Sequence, residues 1–253
     1  MKTCLRPLIL GFILLILLMP GCRQTSPGAA PLPANTVPVQ SLKSELPPVP
    51  KEQPAQAGNV NIKLPEPRLK SDVSLEEALY KRRSIRQYSA APLTLIDISQ
   101  LCWVAQGVTD SSGKRTAPSA VAIYPLEIYL AVGNVEGLVA GVYLYSPAGH
   151  ELVKMKDGDL RAELGNQITI NKAAVDIVIA ANNDKLTGRF GDTGIKWAYL
   201  EAGHVAQNIC PQATALNFGT VTVGGFTEGQ VKAVLGLTDN KSVLYVLPVG
   251  KKT

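Results

Sequence analysis

Three arginines and one serine lie within five positions of the chain, at Arg82, Arg83, Ser84 and Arg86. The guanidinium group of arginine forms paired hydrogen bonds with phosphate oxygens, and a serine hydroxyl can add one more. This spacing therefore favours a phosphate-binding segment. A second interpretation stays open on these residues alone, because cations at a helix end also offset the negative end of the helix dipole.

Two consecutive glycines, Gly224 and Gly225, follow a β-branched run at 221–223. A flat ligand can approach a backbone only where side chains are absent, and glycines provide such a surface. The sequence thus predicts a short strand that ends beside a ligand. The alternative is an ordinary tight turn after a core helix.

A long helix precedes this glycine pair and must position it. Apolar residues recur at intervals of three and four positions, which is the pattern of a helix with one buried face. The stripe comprises Ala202, Val205, Ala206, Ile209, Ala213 and Leu216. We expect a helix over 191–216, ended by Asn217 or Gly219 in a left-handed conformation.

The rest of the chain after residue 69 alternates between helical and strand patterns. Capping boxes at Ser74 and Thr227 predict two helix starts, and Thr94-Leu-Ile-Asp97 is expected to open another helix. A modest helix is expected over 159–167. Strands are expected at 127–132, 141–146, 151–155, 173–181 and 243–249. This order predicts a mixed α/β sandwich.

Residues 1–22 have the organisation of a secretory signal. A basic start precedes an apolar run at 8–19, which is too short to span a bilayer comfortably. Gly21 and Cys22 follow and resemble a bacterial lipobox, in which the cysteine carries the lipid. We therefore predict a lipoprotein signal peptide, lipidation of Cys22, and a bacterial cell-envelope protein anchored on the periplasmic side or at the cell surface. The alternative is a simple secretory signal.

Residues 23–68 are rich in proline and polar residues and show no apolar period, so we predict a disordered linker. The folded domain is then expected over 69–253. The formal net charge of +5 at pH 7 would fall to +3 on removal of the predicted signal, which contains Lys2 and Arg6, and this charge is mild. No basic run with interleaved aromatic residues accompanies it, so nucleic acid is not an expected partner.

The four cysteines have separate interpretations. Cys4 lies in the signal, and Cys22 is the expected lipid attachment site. Cys102 and Cys210 fall inside apolar helical patterns and are interpreted as buried small hydrophobic residues, with a disulfide between them as the alternative. Two cysteines and two histidines at wide spacing form no metal-binding signature, so no metal site is expected.

An ordered set of segments resembles the nitroreductase-like flavoprotein family over about residues 74–252. The segments read RRSIR at 82–86, APSA at 117–120, GHVAQN at 203–208, VGG at 223–225 and LPVGK at 247–251. The run GVYLYSPAGHELV at 141–153 is similar to the branch that contains azoline dehydrogenases, which make thiazoles and oxazoles in peptides. No single segment is specific for this family, but the occurrence of the whole set in this order is.

The resemblance implies an α+β, three-layer sandwich with a central mixed sheet flanked by helices, and one FMN at each site of a homodimer interface. The implied contacts to the FMN phosphate and ribityl chain are Arg82, Arg83, Ser84 and Arg86, with Lys251 and less surely Lys252 reaching the phosphate. The implied contacts to the isoalloxazine are Pro118 and Ser119, from the partner subunit, and the backbone of Val223, Gly224 and Gly225, which would face flavin N5. Pro211 and Asn217 depart from the family pattern and put the fine geometry of the long helix in doubt.

The implied function is an FMN-dependent oxidoreductase that transfers a hydride or electrons through flavin N5. Such chemistry needs no nucleophilic side chain, because the cofactor carries it. Outside the cytoplasm NAD(P)H is scarce, so the expected partners are a small-molecule substrate and a separate electron partner such as a quinone, a redox protein or oxygen. The alternatives are an NAD(P)H-dependent nitro or quinone reductase and a catalytically idle flavin-binding lipoprotein.

Four other polar residues are open to two interpretations. His150 is interpreted as a turn residue and His204 as a helix residue hydrogen-bonded in the core, and either could instead touch a substrate. Tyr199 and Glu201 are candidates for polar groups near the flavin.

Overall fold

The computed structural model describes residues 61–165 and 168–253. The predicted signal peptide, the lipidation of Cys22 and the linker up to residue 60 lie outside the described residues. The helices are α1 (Leu75–Lys81), α2 (Leu95–Gln106), α3 (Ile168–Lys172), α4 (Asp184–Ala215) and α5 (Glu228–Leu235). The strands are β1 (Asn61–Lys63), β2 (Leu93–Thr94), β3 (Leu126–Val132), β4 (Val135–Glu136), β5 (Gly141–Ser146), β6 (Glu151–Asp157), β7 (Val175–Asn182), β8 (Phe218–Thr220) and β9 (Lys241–Lys251).

Seven strands form one sheet in the order β1-β6-β5-β3-β7-β9-β8, and β2 pairs with β4 separately. Every neighbouring pair within the seven-stranded sheet is antiparallel. The expectation of a mixed sheet is therefore wrong. The reason lies in β9: α4 connects β7 to β8, which run in the same direction, but β9 inserts between them and runs the opposite way.

Both faces of the sheet are buried, as a three-layer sandwich requires. In β7, Ile177 and Ile179 belong to the core on the side of α2 and α4. Val178 and Ala180 belong to the core on the side of α5. This alternation follows from the two-residue period of a strand, and it explains why the apolar run is nearly continuous.

The long helix α4 closely follows the sequence prediction. It breaks at Gly191 (φ 50°, ψ −137°) and continues to Ala215, with Pro211 buried inside it. Asn217 then adopts φ 60°, the left-handed conformation expected of the residue that ends the helix. The following strand lies at Phe218–Thr220, earlier than the predicted 221–223.

At two of the three predicted helix starts, a side chain caps the helix. Thr94 and Asp97 form both halves of a capping box, and the Ser74 hydroxyl accepts from the amide of Glu77. Thr227 begins α5 without a side-chain cap. Its carbonyl instead accepts from the amide of Gln230 at 3.0 Å.

The helix predicted over 159–167 is wrong. The chain forms a 3-10 turn at Arg161–Glu163 and then α3 at Ile168–Lys172. Gly165, with φ 156°, separates the two. Asp159 accepts hydrogen bonds from the backbone and side chain of Arg161, which favours a tight turn over a regular helix start.

The ordered domain begins before residue 69. Residues 61–63 form β1, which pairs with β6 at the sheet edge. Leu64 is buried, and its amide donates to the carbonyl of His150 at 3.0 Å. The proline-rich composition masked this strand, because three paired residues give no periodic signal. No helix in the described ranges has both the length and the apolar composition needed to cross a membrane.

Candidate functional site

The arginine-rich segment, residues 82–86, leaves α1 and runs along the free side of β8. The amide of Ile85 donates to the carbonyl of Thr220 at 2.9 Å, and Ser84 pairs with Thr220 in a parallel bridge. Two residues after the segment, Tyr88 bridges to Lys252, and the amide of Ser89 donates to the carbonyl of Lys251 at 2.9 Å. The fold thus brings the arginine-rich segment, β8 and the end of β9 to one sheet edge.

Two glycines make this close approach possible. A Cβ at Gly219 would lie 2.5 Å from Ile85 Cγ2, and a Cβ at Gly250 would lie 3.0 Å from Tyr88 Cβ. The Tyr88 hydroxyl lies 2.9 Å from the carbonyl of Ile85, to which it donates. Gly219 of β8 pairs with Gly250 of β9. The side chains of Ile85 and Tyr88 therefore pack on one continuous stretch of backbone that carries no side chains.

The cationic side chains of this edge differ in what they contact. Arg83 Nη1 donates to the carbonyls of Tyr80 and Arg82, at 2.8 and 2.7 Å. Arg83 therefore serves the end of α1, as the helix-dipole interpretation expects. Arg82 is half-buried and Arg86 is exposed, and the ion pairs of the described residues involve neither. Their guanidinium groups are oriented by no carboxylate in residues 61–165 and 168–253.

Further polar groups surround the arginines. Ser84 is exposed, Lys251 is half-buried, and Lys252 Nζ donates to Asn217 Oδ1 at 3.3 Å. Thr220 Oγ1 is buried and has no hydrogen-bond partner among the described residues. The edge therefore combines several cations with hydroxyl groups, which is the donor set that a phosphate dianion requires.

The predicted glycine pair lies on the same β8–β9 side of the sheet. Val223 exchanges two backbone hydrogen bonds with Val246, at 2.8 and 3.0 Å, which fixes the start of the turn. Gly224 and Gly225 are exposed. A Cβ at Gly225 would meet no atom within 4 Å, so no neighbouring side chain crowds this position. A planar ligand would find there a surface without side chains.

Pro118 and Ser119 lie elsewhere, in a loop packed against α4. Pro118 is exposed, and Ser119 Oγ accepts from the amide of Tyr124 at 2.9 Å. The Ser119 side chain also acts on Glu201 of α4, where it opposes the rise in the pKa of that carboxyl. No hydrogen bond in the described ranges connects this loop with the arginine-rich segment.

Glu201 belongs to a polar network that the sequence did not indicate. Gln106 Nε2 donates to Glu201 Oε1 at 3.2 Å, and Arg115 Nη1 donates to Gln106 Oε1 at 3.2 Å. Burial raises the pKa of Glu201, and the side chains of Ser119 and Gln106 oppose the rise. These residues are far apart in sequence, so no local spacing could have predicted their contact.

The histidines have structural surroundings of different kinds. His150 Nε2 lies 3.0 Å from the carbonyl of Pro65, and Nδ1 lies 2.9 Å from the Tyr145 hydroxyl. Burial lowers the pKa of His150. His204 is exposed on α4, so its expected place in the core is wrong, because it falls on the helix face opposite the apolar stripe. Tyr199 is 60% exposed.

Both cysteines of the domain, Cys102 and Cys210, are buried and free. Burial raises the pKa of each thiol. The interpretation as small hydrophobic residues is confirmed, and the disulfide alternative is wrong.

A cavity of about 320 Å³ lies between α1, α2 and α4, lined by Trp103, Asn208 and Gln212 among others. None of the predicted flavin-binding residues lines it. The cavity is therefore separate from the cationic edge.

The antiparallel sheet with helices on both faces defines an α+β domain. Its cationic edge and the nearby glycine turn suit a planar ligand that carries a phosphate. The sequence profile of the nitroreductase family matches residues 79–251. The chain belongs to the nitroreductase family, whose members are generally flavin oxidoreductases. The family resemblance and the oxidoreductase class predicted from sequence are confirmed.

Known proteins resemble the chain in sequence and in fold. A Methanocaldococcus jannaschii protein, described as a candidate nitroreductase, is 42% identical over 185 residues, covering 72% of this chain and 92% of the relative. A candidate nitroreductase from Ralstonia eutropha has a crystal structure that superimposes with a TM-score of 0.70 and 29% identity, over 76% of this chain and 90% of that one. A chain of the Escherichia coli microcin synthetase McbBCD complex, solved with truncated pro-MccB17, gives a TM-score of 0.60 at 21% identity, over 90% of this chain and 85% of that one. The last comparison shows a common fold.

Proposed function

We propose that the protein is an FMN-dependent oxidoreductase of the nitroreductase family. The observation that carries the proposal is the junction of the arginine-rich segment, β8 and the end of β9. This junction brings Arg82, Ser84, Arg86 and Lys251 to one edge of the sheet, with Arg82 and Arg86 outside every ion pair of the described residues. A phosphate monoester carries the negative charge that such a group of cations attracts.

The cationic edge would bind the phosphate and the ribityl chain. Arg82 and Arg86 would contact phosphate oxygens, and Lys251 would add a point charge from the end of β9. Ser84 would hydrogen bond with the phosphate or the ribityl hydroxyls. Arg83 would contribute mainly by closing the end of α1, because its guanidinium already donates to two carbonyls there.

The isoalloxazine would lie against the bare turn of Val223, Gly224 and Gly225. When bound, FMN supplies a hydride acceptor and donor at N5. The backbone of the two glycines would approach N5 closely, since neither carries a side chain, and its amide groups would polarise the ring. Val223 forms two backbone hydrogen bonds with Val246, which would keep the turn in place.

The functional unit would be a homodimer, with Pro118 and Ser119 reaching the flavin of the partner subunit. The supporting observation is that α1 and α4 each carry exposed apolar side chains. Leu75 and Tyr80 on α1 and Tyr199 and Leu200 on α4 are between 55% and 79% exposed. Large apolar side chains at a surface are typical of interaction sites.

The protein would act outside the cytoplasmic membrane, tethered through Cys22 by the proline-rich segment. A bound flavin would supply reversible two-electron chemistry, and two different partners would use the site in turn, one as the reductant and one as the oxidant. With NAD(P)H scarce in that compartment, the electron partner would be a quinone, a redox protein or oxygen.

A second candidate is an NAD(P)H-dependent nitro or quinone reductase. The 42% identity to a relative described as a candidate nitroreductase favours it. The two candidates share the flavin site and differ in the electron donor.

An absorbance spectrum of the purified full chain tests the proposal. A bound oxidised flavin gives bands near 370 and 450 nm, which should bleach on reduction by a quinol and return with an acceptor. NADH should be a slow reductant under the main proposal and a fast one under the second. A colourless protein that also fails to take up added FMN would contradict both.

A further inference from the structure

Residues 64–68, here called the strap, follow β1 in the chain and are fastened to the domain at both ends. The first amide of the strap, that of Leu64, donates to the carbonyl of His150 at 3.0 Å. The last residue, Arg68, exchanges two hydrogen bonds with the side chain of Gln100 on α2, at 2.8 and 3.1 Å.

The middle of the strap is fastened by the His150 side chain, which belongs to the run 141–153 that is similar to the azoline dehydrogenase branch. His150 Nε2 lies 3.0 Å from the carbonyl of Pro65 and 2.8 Å from Ser99 Oγ, and the Ser99 hydroxyl donates to the same carbonyl. A carbonyl only accepts, so Nε2 carries a proton. Nδ1 of the neutral ring then accepts from the hydroxyl of Tyr145 at 2.9 Å. Both nitrogens of the neutral ring thus have partners.

The backbone of His150 depends on these contacts. Its φ of 45° lies in the left-handed region, which residues with a Cβ rarely adopt. The amide of His150 donates to the carbonyl of Pro147 at 3.3 Å, which closes the turn between β5 and β6. The contacts of the ring offset the cost of this conformation, so the turn and the strap hold each other in place.

A second proton on the ring would break this arrangement. An N–H group at Nδ1 would point at the Tyr145 oxygen, and the Tyr145 hydroxyl would have to turn its own proton away. Tyr145 and Ser99 are 3% and 1% exposed, so bulk water cannot replace the lost partner. An unsatisfied buried hydroxyl and a charge without an anionic partner both cost free energy.

We propose that His150 is a pH-sensitive latch: its neutral ring fastens the strap to α2 and β5, and its protonation releases the strap. β1 directly precedes the strap and pairs with β6 over only three residues. So short a strand depends on its surroundings, and β1 therefore loosens with the strap and uncovers the edge of β6. The latch thus sets, through pH, whether this edge of the sheet is covered.

The groups around the ring give the direction of the pH dependence. Burial is the largest influence and lowers the pKa of His150, Glu66 favours the charged ring, and Lys63 opposes it. Cys102 and Arg115 act on the Tyr145 hydroxyl, in opposite directions. The folded state favours the neutral ring, so the stability that the latch contributes is complete above the ordinary histidine pKa of 6.5 and is lost as the pH falls below it.

Hydrogen exchange of the peptide 61–68 in the full chain tests the latch, measured at about pH 5 and about pH 8 and corrected for the intrinsic pH dependence of exchange. His150→Gln keeps a side-chain donor for the Pro65 carbonyl and cannot take up a proton. The control is His204→Gln, which changes the other histidine of the chain, exposed on α4. The peptide 175–182 of the central strand β7 reports on the rest of the domain.

The wild type and His204→Gln should exchange about tenfold faster in peptide 61–68 at the lower pH, as expected for the loss of about one hydrogen bond. His150→Gln should exchange equally at both pH values. The peptide of β7 should stay protected in all three proteins.

Equal wild-type exchange of the strap at both pH values, or equal loosening of β7, would overturn the inference. If His150→Gln does not fold, the wild type still decides: exchange of the strap must change over the pH range in which the His150 ring signal titrates by NMR. A change outside that range would contradict the latch. No step of the test involves FMN, so its outcome is independent of the proposed function.

Discussion

Adding one methyl group at Gly219 should push the arginine-rich segment away from β8. The new Cβ would lie 2.5 Å from Ile85 Cγ2 and 2.9 Å from Ile85 Cβ. Carbon atoms in contact prefer about 3.5–4.0 Å, so Ile85 must move by roughly 1 Å. The same residue donates its amide to Thr220 at 2.9 Å, and that bond would lengthen beyond hydrogen-bond distance.

The expected cost of Gly219→Ala is about 1–3 kcal/mol of unfolding free energy, the usual range for overpacking a tight contact. FMN affinity should fall as well, because Arg86 moves with the segment. Urea unfolding measures the first effect and flavin fluorescence quenching the second. Gly188→Ala, in an exposed turn of α4 where a Cβ meets nothing within 4 Å, is the control and should gain about 0.5–1 kcal/mol.

A second variant separates the contact from general damage. Ile85→Ala removes the closest atom, so combining it with Gly219→Ala should restore part of the FMN affinity. Wild-type FMN affinity in Gly219→Ala, or no recovery of affinity on adding Ile85→Ala, would show that this contact does not position the arginine-rich segment.

Three further predictions concern the scaffold. Thr94→Ala, which removes the capping box of α2, should cost about 0.5–2 kcal/mol in urea unfolding, whereas Leu95→Ile should cost much less. Burial raises the pKa of Asp176 well above its usual value, and its carboxyl oxygens have no hydrogen-bond partner among the described residues. The folded state favours the protonated form of Asp176, so the stability that this carboxyl contributes is complete below pH 4 and declines as the pH rises. Asp176→Asn should therefore raise the thermal midpoint at pH 7 and make that midpoint depend less on pH. An unchanged dependence of the thermal midpoint on pH would contradict this prediction. If the proposed homodimer forms through α1 and α4, Tyr80→Glu should lower the mass measured by light scattering, whereas Met155→Glu, on β6, should not. Equal masses for the two variants would argue against that proposed interface.

The sequence predicted those parts of the fold that have a local physical signal. The apolar stripe of α4 and its end at Asn217 followed from helical period and left-handed propensity. The helix start at Thr94 followed from local sequence, and the structure adds that Thr94 and Asp97 form a capping box there. These features depend on neighbours in the chain, so they can be recognised before the fold is known.

Features that depend on distant pairing were not predictable in the same way. The insertion of β9 between β7 and β8, which makes the sheet antiparallel, leaves no trace in either strand alone. Strand β1 is three residues long and lies in proline-rich sequence, so only its partner β6 identifies it.

The candidate site also combines features that local sequence predicts with features that depend on distant contacts. The arginine-rich segment and the glycine pair were visible as residue types at close spacing. The junction that brings Lys251 beside them depends on Gly219 and Gly250, whose role appears only when Ile85 and Tyr88 are packed on them. The network of Glu201 joins two helices and a loop, and no spacing in the sequence could indicate it.

The central claim is that the cationic edge binds the phosphate of FMN. The most direct test compares the affinities for FMN and for riboflavin, which lacks that phosphate. Each ligand is titrated into the wild type, Arg82→Ala and Arg86→Ala. The control is Lys172→Ala, which changes an exposed residue of α3. The wild type and the control should prefer FMN, and each arginine variant should lose about tenfold or more of that preference with riboflavin affinity unchanged. Equal wild-type affinity for both ligands, or the same loss for both in the variants, would contradict the account.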